Sequence, residues 1–191
     1  MNTNSPSSAE AFEARYRHGR DPWSFAQSPY ELNRYRIIMS CLHRASYELI
    51  YEPGCGVGVL TQQLAGIANT LIAADFAPSA LDQARTRCAH RPNIEFICAD
   101  LRTFMPSVAP DLIIFSELGY YFSLRELECI AADLGRHLRS GGEFIAGHWL
   151  GNSKDHVLHA NQVHEVLRSY LGLSPRRQQL HAGFRLDSWT K

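Results

Sequence analysis

The chain has 191 residues, of which 45% are hydrophobic and 20% are charged, so a single folded core of ordinary size is expected. Its 19 Lys and Arg residues balance its 19 Asp and Glu residues, which argues against a nucleic-acid partner because phosphate binders carry a basic excess. No apolar run approaches the roughly 20 residues of a membrane span, and five scattered cysteines with no secretory signal pattern favour a reducing cytoplasm.

The N-terminal region predicts a tail followed by a capped helix. Met1 to Glu10 is polar and typical of a short disordered tail. Further on, Ser28 is expected to cap a helix, with Pro29 at its first position and Glu31 reaching back as a capping box. The apolar spacing predicts that this helix ends near Ala45.

From residue 48 onward, short apolar runs alternate with amphipathic segments, which predicts a doubly wound α/β architecture with helices on both faces of a mostly parallel sheet. The predicted strands cover residues 48–52, 70–75, 93–99, 111–115, a fifth ending near 149, and then 176–180 and 184–189. The predicted helices cover residues 58–65, 78–88, 123–138 and 156–170. We expect residues 1–20 to form the tail and the start of a lid, and residues 21–191 to form one domain.

Polar side chains recur where the predicted parallel strands end. In doubly wound sheets, ligands bind beyond the carboxyl ends of the strands, near the reversal of strand order. A single carboxylate is most often merely solvated, but recurrence at one sheet edge predicts a site. The residues at these ends are Glu52, Asp75, Asp100, Ser116, Glu117, His148 and Trp149.

The strongest local signal is the loop at residues 52–58, Glu-Pro-Gly-Cys-Gly-Val-Gly. Its glycines permit a tight turn and a close approach of ligand to backbone. A dinucleotide loop would place its third glycine at position 59, which is Val here, so a nicotinamide cofactor is disfavoured. Asp75 could accept hydrogen bonds from ribose hydroxyls in either a dinucleotide or a smaller nucleoside ligand. Asp100 suits an adenine amino group in a ligand without pyrophosphate. Cys55 is interpreted as a small packing residue of the loop.

In order and spacing, these residues resemble the class I S-adenosylmethionine-dependent methyltransferases. Residues 52–58 are similar to the E-x-G-C-G-x-G loop of that family, residues 111–117 to its fourth strand, and residues 138–142 to the turn before its fifth. The resemblance implies a Rossmann-like fold and S-adenosylmethionine as cofactor. Together with the strand-end positions it predicts these cofactor-binding residues: Trp23, Arg34, Glu52, Gly54, Cys55, Gly56, Gly58, Asp75, Phe76, Asp100, Leu101 and Ser116.

A narrower resemblance, to the nodulation protein S-like family, lies in residues 21–25, 28–31 and 34–35 and in the stretches 116–121 and 147–149. It implies N-methylation of a small amine-bearing acceptor, with a deacetylated chitooligosaccharide as the analogous substrate. The expected partner is therefore a small molecule, and the expected state a monomer or weak homodimer.

Three residues are candidates for acting on the acceptor. Glu117 is expected to orient or deprotonate the amine, unless it only positions the cofactor or is solvated. Tyr120 would offer a hydroxyl or an aromatic face for a cation, or pack in the core, and His148 is either a base or a structural histidine. Lid residues Trp23 and Arg34 are expected to cover the ligand and to pair with the methionine carboxylate.

No metal is expected, because a sulfonium is already a strong methyl donor and the protein mainly aligns the reactants. His156, His159 and His164 invite a metal interpretation, but position 168 is Arg where a zinc-protease motif has His. The alternatives to an N-methyltransferase are an O-methyltransferase, a catalytically idle S-adenosylmethionine-binding module and a nicotinamide dehydrogenase.

Overall fold

The computed structural model describes residues 8–191. Its strands are β1 (Tyr47–Pro53), β2 (Ala68–Asp75), β3 (Ile94–Cys98), β4 (Leu112–Ser116), β5 (Glu143–Trp149), β6 (Ser174–His181) and β7 (Phe184–Thr190). They form one sheet in the order β3-β2-β1-β4-β5-β7-β6, in which β7 runs antiparallel to both of its neighbours. The predicted seven-stranded, mostly parallel sheet is confirmed, and its strand order reverses between β1 and β4.

Helices cover both faces of the sheet. They are α1 (Ala9–His18), α2 (Pro29–Ser40), α3 (Val59–Leu64), α4 (Pro78–Arg87), α5 (Leu124–His137) and α6 (Ala160–Tyr170), with a 3-10 turn at Gly119–Tyr121. On one face, Leu127 of α5 and Leu167 of α6 share a core with Phe144. On the other, Ile38 of α2 and Leu64 of α3 pack with Ile50. This arrangement confirms the doubly wound prediction. No helix among residues 8–191 is long and apolar enough to cross a membrane.

The helix α1 is not predicted from the sequence. The predicted tail overlaps it at Ala9 and Glu10, and residues 1–7 lie outside the described part of the chain. Half of the residues of α1 are charged or His, and only Phe12 and Tyr16 are buried. The carboxylate of Glu13 accepts hydrogen bonds from the backbone N–H of Ser79 (3.0 Å) and from its hydroxyl (2.5 Å), which holds α1 against the start of α4.

The helix caps agree only in part with the sequence. The capping box expected at Ser28 is wrong: its side chain makes no capping hydrogen bond, and Glu31 pairs with Arg34 instead. Pro29 does begin α2, but α2 ends at Ser40 rather than near residue 45. A second box forms as predicted, since the hydroxyl of Ser123 accepts the N–H of Glu126 at the start of α5. The last helix begins at Ala160, later than expected, with His159 as its cap.

Candidate functional site

A cavity of about 440 Å³ opens at the carboxyl ends of β1, β2 and β4, where the strand order reverses. Parallel strands bring their carboxyl ends to one edge of the sheet, so the polar residues that follow them meet there. The predicted site residues that line the cavity are Trp23, Arg34, Glu52, Gly54, Cys55, Gly56, Asp75, Phe76, Asp100, Leu101, Ser116, Glu117 and Tyr120. Two predicted site residues, Gly58 and His148, are absent from its wall.

The glycine loop after β1 is fixed by its own backbone and by Asp75. Gly54, Gly56 and Gly58 have φ values of +71°, +52° and +78°, a region that other residues enter only at a cost. The N–H of Gly56 donates to Asp75 Oδ2 (2.9 Å), and the N–H of Ala77 donates to Asp75 Oδ1 (2.9 Å). The loop therefore lines the cavity through Gly54 and Gly56 and is held in place by the carboxylate of Asp75.

Gly58 has a packing role. A Cβ at this position would lie 2.9 Å from the Cα of Ala84 in α4. The glycine thus lets α4 approach the loop closely. The predicted direct contact of Gly58 with the cofactor is not supported, because it faces the helix rather than the cavity.

Two buried acids lie at the ends of β1 and β2. Burial raises the pKa of Glu52 to about 8 and that of Asp75 to about 6, where hydrogen bonds from Ala77 and Gly56 oppose the effect of burial. At neutral pH, Glu52 is therefore mostly protonated and Asp75 mostly ionised. One negative charge thus lies beside the glycine loop at the cavity wall.

Asp100 lies at the cavity mouth, following β3. Its Oδ2 is 2.8 Å from Arg102 Nη1, and its Oδ1 accepts the backbone N–H of Arg102 at 2.8 Å. Arg102 also contacts Glu126, at 2.9 Å. Arg102, which sequence reasoning did not single out, thus orients Asp100 beside Leu101.

Glu117 lies directly after β4 in the left-handed region, with φ of +59°. Its Oε1 accepts the backbone N–H of Trp149 (2.7 Å) and lies 2.8 Å from Arg34 Nη1. Its Oε2 accepts the hydroxyl of Tyr120. A non-glycine residue in this conformation is held by its surroundings, and here three donors from separate segments converge on one carboxylate.

Arg34 lies fully buried between two carboxylates. Its Nη1 faces Glu117 and its Nη2 faces Glu31. Burial acts to lower the pKa of Arg34, but the two carboxylates raise it above its usual value. Both ion pairs of Arg34 are with protein carboxylates, and its pairing with a methionine carboxylate stays a prediction. Glu31 lines the cavity as well and was missed because its position fitted a capping box.

His148 is not placed where a base for the acceptor would lie. It is fully buried, because the alternation along β5 directs it toward α6 while Trp149 faces the cavity. Its Nε2 accepts the N–H of Gly119 (3.0 Å), and its Nδ1 lies 3.2 Å from Nε2 of His164. His164 Nδ1 in turn lies 2.8 Å from Asp187. An N–H can only donate, so neutral His148 carries its proton on Nδ1. Burial holds the pKa of His148 well below the usual value. Of the two interpretations of this residue, a structural histidine agrees better with its contacts.

The N-terminal segment forms an aromatic wall. Trp23 stacks on Phe12 and on Phe25, each with ring centroids 5.6 Å apart, and Phe12 meets Phe76 edge-on at 5.4 Å. Arg15 of α1 also pairs with Asp155 (2.6 Å). The four-residue spacing of Phe12 and Tyr16, the two buried residues of α1, was the available signal for this helix.

The cavity is also lined by residues that were not singled out as site residues, namely Tyr30, Asn152, Ser153 and His156. The ring of His156 stacks on Tyr120 at 3.8 Å. The three histidines weighed as metal ligands face different partners, since His159 caps α6 and His164 contacts Asp187. Among residues 8–191, no group of three or more His, Cys, Asp or Glu side chains has an arrangement that could hold a metal ion.

Comparisons with known proteins agree with the fold. The family model described as Nodulation protein S matches residues 6–184. Nodulation protein S of Bradyrhizobium diazoefficiens is 29% identical over 102 residues, or 53% of this chain and 49% of that protein. Nodulation protein S of Sinorhizobium fredii is 31% identical over 113 residues, or 59% and 50%. The chain thus spans about half the length of these curated relatives.

Solved structures show the same architecture. The N-methyltransferase NodS from Bradyrhizobium japonicum WM9, in complex with S-adenosyl-L-homocysteine, superimposes with a TM-score of 0.84 at 22% identity, covering 95% of this chain and 97% of that one. A putative methyltransferase from Pseudomonas syringae gives a TM-score of 0.70 at 29% identity, covering 85% and 99%. The predicted Rossmann-like class I methyltransferase fold is confirmed.

Proposed function

The chain belongs to the Nodulation protein S family, and we propose that it is an S-adenosylmethionine-dependent methyltransferase that methylates the nitrogen of a small amine-bearing acceptor. The observation that carries the proposal is the meeting of the glycine loop, Asp75 and Asp100 in one cavity at the reversal of strand order. The family and the fold support the same cofactor.

The residues present fit an adenosyl cofactor. The cavity volume lies in the range of small-ligand sites. A Cβ at Gly56 would meet only the hydroxyl of Tyr16, at 3.2 Å, whereas a Cβ at Gly54 would overlap the side chain of Leu118. Within the loop, Gly56 is therefore where a ligand can best approach the backbone. Asp75 would hold the ribose hydroxyls, and Asp100 with Leu101 would hold the adenine. When bound, S-adenosylmethionine supplies a methyl group on a positively charged sulfur.

The protein's own contribution is alignment and exclusion of water. The aromatic wall of Phe12, Trp23 and Phe76 closes one side of the cavity. On the other side, Glu117 is held rigidly by its three donors and can orient an acceptor nitrogen. Fixing a nucleophile in line with a methyl group supplies several kcal/mol of rate enhancement without further chemistry.

The acceptor we propose is a small amine, with a deacetylated aminosugar or chitooligosaccharide as the first class to test. A solved relative of this fold is an N-methyltransferase, and a curated relative is Phosphoethanolamine N-methyltransferase 3 of Arabidopsis thaliana, 32% identical over 96 residues, or 49% of this chain and 20% of that protein. Both point to nitrogen. The cytoplasmic location and the monomer or weak homodimer remain predictions.

Calorimetry with S-adenosylhomocysteine, followed by labelled methyl transfer, tests the proposal. The acceptor panel is glucosamine, deacetylated chitooligosaccharides, ethanolamine and polyamines, with N-acetylglucosamine as a matched hydroxyl acceptor. We expect cofactor-product binding, label on nitrogen and no binding of NAD(P). Absence of S-adenosylhomocysteine binding would reject the cofactor, and label found on oxygen would reject the N-methyltransferase.

A further inference from the structure

We propose that Glu31 and Glu117 together bind the ammonium form of the acceptor, and that Glu31 accepts the proton that the nitrogen must lose before it attacks. The inference rests on the proposed function and deepens it. It assigns a catalytic role to a residue whose sequence context indicated only a helix start.

The charge of the cluster favours a cation. Two carboxylates flank one guanidinium, so Glu31, Arg34 and Glu117 carry one uncompensated negative charge when ionised. Arg34 is fully buried, whereas the side chains of Glu31 and Glu117 remain 12% and 17% exposed. Both glutamates line the cavity, so the excess negative charge faces the space for the acceptor. Electrostatic attraction in such a sheltered site is stronger than in water.

The two carboxylates differ in the contacts that they make with the protein. Glu117 forms an ion pair with Arg34 and accepts hydrogen bonds from the hydroxyl of Tyr120 and the N–H of Trp149. Glu31 pairs with Arg34. If Glu31 takes up a proton, Arg34 still has its ion pair with Glu117. Both oxygens of Glu117 are occupied by protein partners, which leaves Glu31 the better placed of the two to take a proton from an acceptor.

The environment of Glu31 prepares it to exchange a proton near neutral pH. Burial raises the pKa of Glu31 to about 7; Arg34 opposes this, while the negative charges of Glu117 and Asp21 add to it. A general base works best when its pKa lies close to the operating pH. The group is thus matched to an amine, which is partly protonated under the same conditions.

The step is balanced as follows. The acceptor ammonium transfers one proton to the Glu31 carboxylate, which becomes a neutral acid, and the nitrogen regains its lone pair. That lone pair forms the bond to the methyl carbon while the carbon–sulfur bond breaks and sulfur keeps the electron pair. The products are an N-methylammonium and S-adenosylhomocysteine, and Glu31 afterwards releases its proton to water.

The same charges narrow the acceptor class. Within the described part of the chain, the arginines that line the cavity are Arg34 and Arg102, and each is paired with two carboxylates. A phosphate on the acceptor would find no uncommitted guanidinium and would meet the negative cluster. The acceptor is therefore an amine on an uncharged scaffold, as in an aminosugar, rather than a phosphorylated amine.

The pH dependence of methyl transfer to glucosamine tests the role of Glu31. Glu31→Gln should lower kcat/KM at pH 7 by about 100-fold, as expected for loss of a general base. It should recover to within about threefold of the wild type near pH 10, because solvent then supplies the neutral amine. Glu31→Asp, which keeps the charge, should retain intermediate activity. Exposed Glu95 on β3 offers the matched control, and Glu95→Gln should behave as the wild type.

Several outcomes would overturn the inference. A wild-type pH profile in Glu31→Gln would do so, and so would an equal loss at every pH, which marks a structural defect. A loss of S-adenosylhomocysteine affinity with an unchanged KM for glucosamine would assign the pair to the cofactor. Ethanolamine should be a better acceptor than phosphoethanolamine, and the reverse order contradicts the assigned class. A wild-type protein that binds S-adenosylhomocysteine but methylates no amine in the panel overturns the proposed function and this inference together.

Discussion

The two halves of the cavity are built from contacts of different range in the chain. In the half formed by the glycine loop and β2, Gly56 and Asp75 are 19 residues apart and meet through adjacent parallel strands. In the half formed by α2, β4 and β5, Glu117 joins Arg34 from α2 and Trp149, 32 residues further on. The first half depends on backbone conformation and the second on charge. We call the first the cofactor half and the second the acceptor half, after their proposed roles. Substitutions in the cofactor half should change cofactor binding and stability, and substitutions in the acceptor half should change turnover.

The largest expected effect is the pH dependence of stability conferred by Glu52. Its folded pKa of about 8 lies above its usual 4.5, so its stabilising contribution is complete below pH 4.5 and is lost as the pH rises through 8. Between pH 5 and pH 8 this amounts to about 3 kcal/mol. Urea unfolding at both pH values should show that the free energy of unfolding falls less between pH 5 and pH 8 in Glu52→Gln than in the wild type. An equal loss in both proteins would contradict the burial of an ionisable Glu52.

Asp75→Ala is the sharpest way to damage the cofactor half alone. Removing the carboxylate leaves the N–H groups of Gly56 and Ala77 without their acceptor and removes the proposed ribose contact. We expect S-adenosylhomocysteine to bind about 100-fold more weakly, or about 2.7 kcal/mol, by calorimetry. Circular dichroism would verify folding. Unchanged affinity would place the ribose elsewhere.

Gly58→Ala tests the packing role assigned to this glycine. The substitution combines a left-handed backbone with a Cβ 2.9 Å from the Cα of Ala84, and should reduce the free energy of unfolding by about 2 kcal/mol or more. Gly172→Ala is the matched control, since Gly172 has φ of +65° with no atom within 4 Å of the added Cβ. It should cost about 1 kcal/mol. Equal costs would remove the close approach of α4 from the explanation.

Tyr120→Phe addresses the acceptor half. It removes one of the three donors to Glu117 while keeping the ring that stacks on His156. We expect kcat/KM for the amine to fall about tenfold, or about 1.4 kcal/mol, with S-adenosylhomocysteine affinity unchanged. A drop in affinity instead of turnover would show that the two halves are not separable.

The smallest expected effect concerns α1, which closes the cavity. In the native protein, the hydrogen bond from Ser79 lowers the pKa of Glu13 and so favours its ionised form. Glu13→Gln replaces the charged acceptor and weakens this contact between α1 and α4. Dissociation of S-adenosylhomocysteine, followed by stopped flow, should become about threefold faster because the wall opens more easily. Glu10→Gln, an exposed position on the same helix, should leave the rate unchanged. If both variants behave alike, α1 does not limit release.

Local patterns in the sequence predicted the sheet and the cofactor half. Apolar strands, a glycine loop and acids at strand ends are all short-range features, and parallel pairing necessarily brings the strand ends together. The helix α1 was not predicted because only two of its residues, Phe12 and Tyr16, are buried, so it has no extended apolar face in the sequence. The capping box at Ser28 was wrong because Glu31 pairs with Arg34 instead, and the burial of His148 was not predicted because it depends on Gly119 and His164, which lie in other segments.

The sequence by itself determined the order of strands and helices, the left-handed loop and the acids along one sheet edge, because each follows from the chemistry of a few neighbouring residues. Only the tertiary structure decided that Arg34 lies between Glu31 and Glu117, and that His148 faces Gly119 and His164 rather than the cavity. Charge pairing and burial depend on which distant segments pack together, and a local pattern does not contain that information.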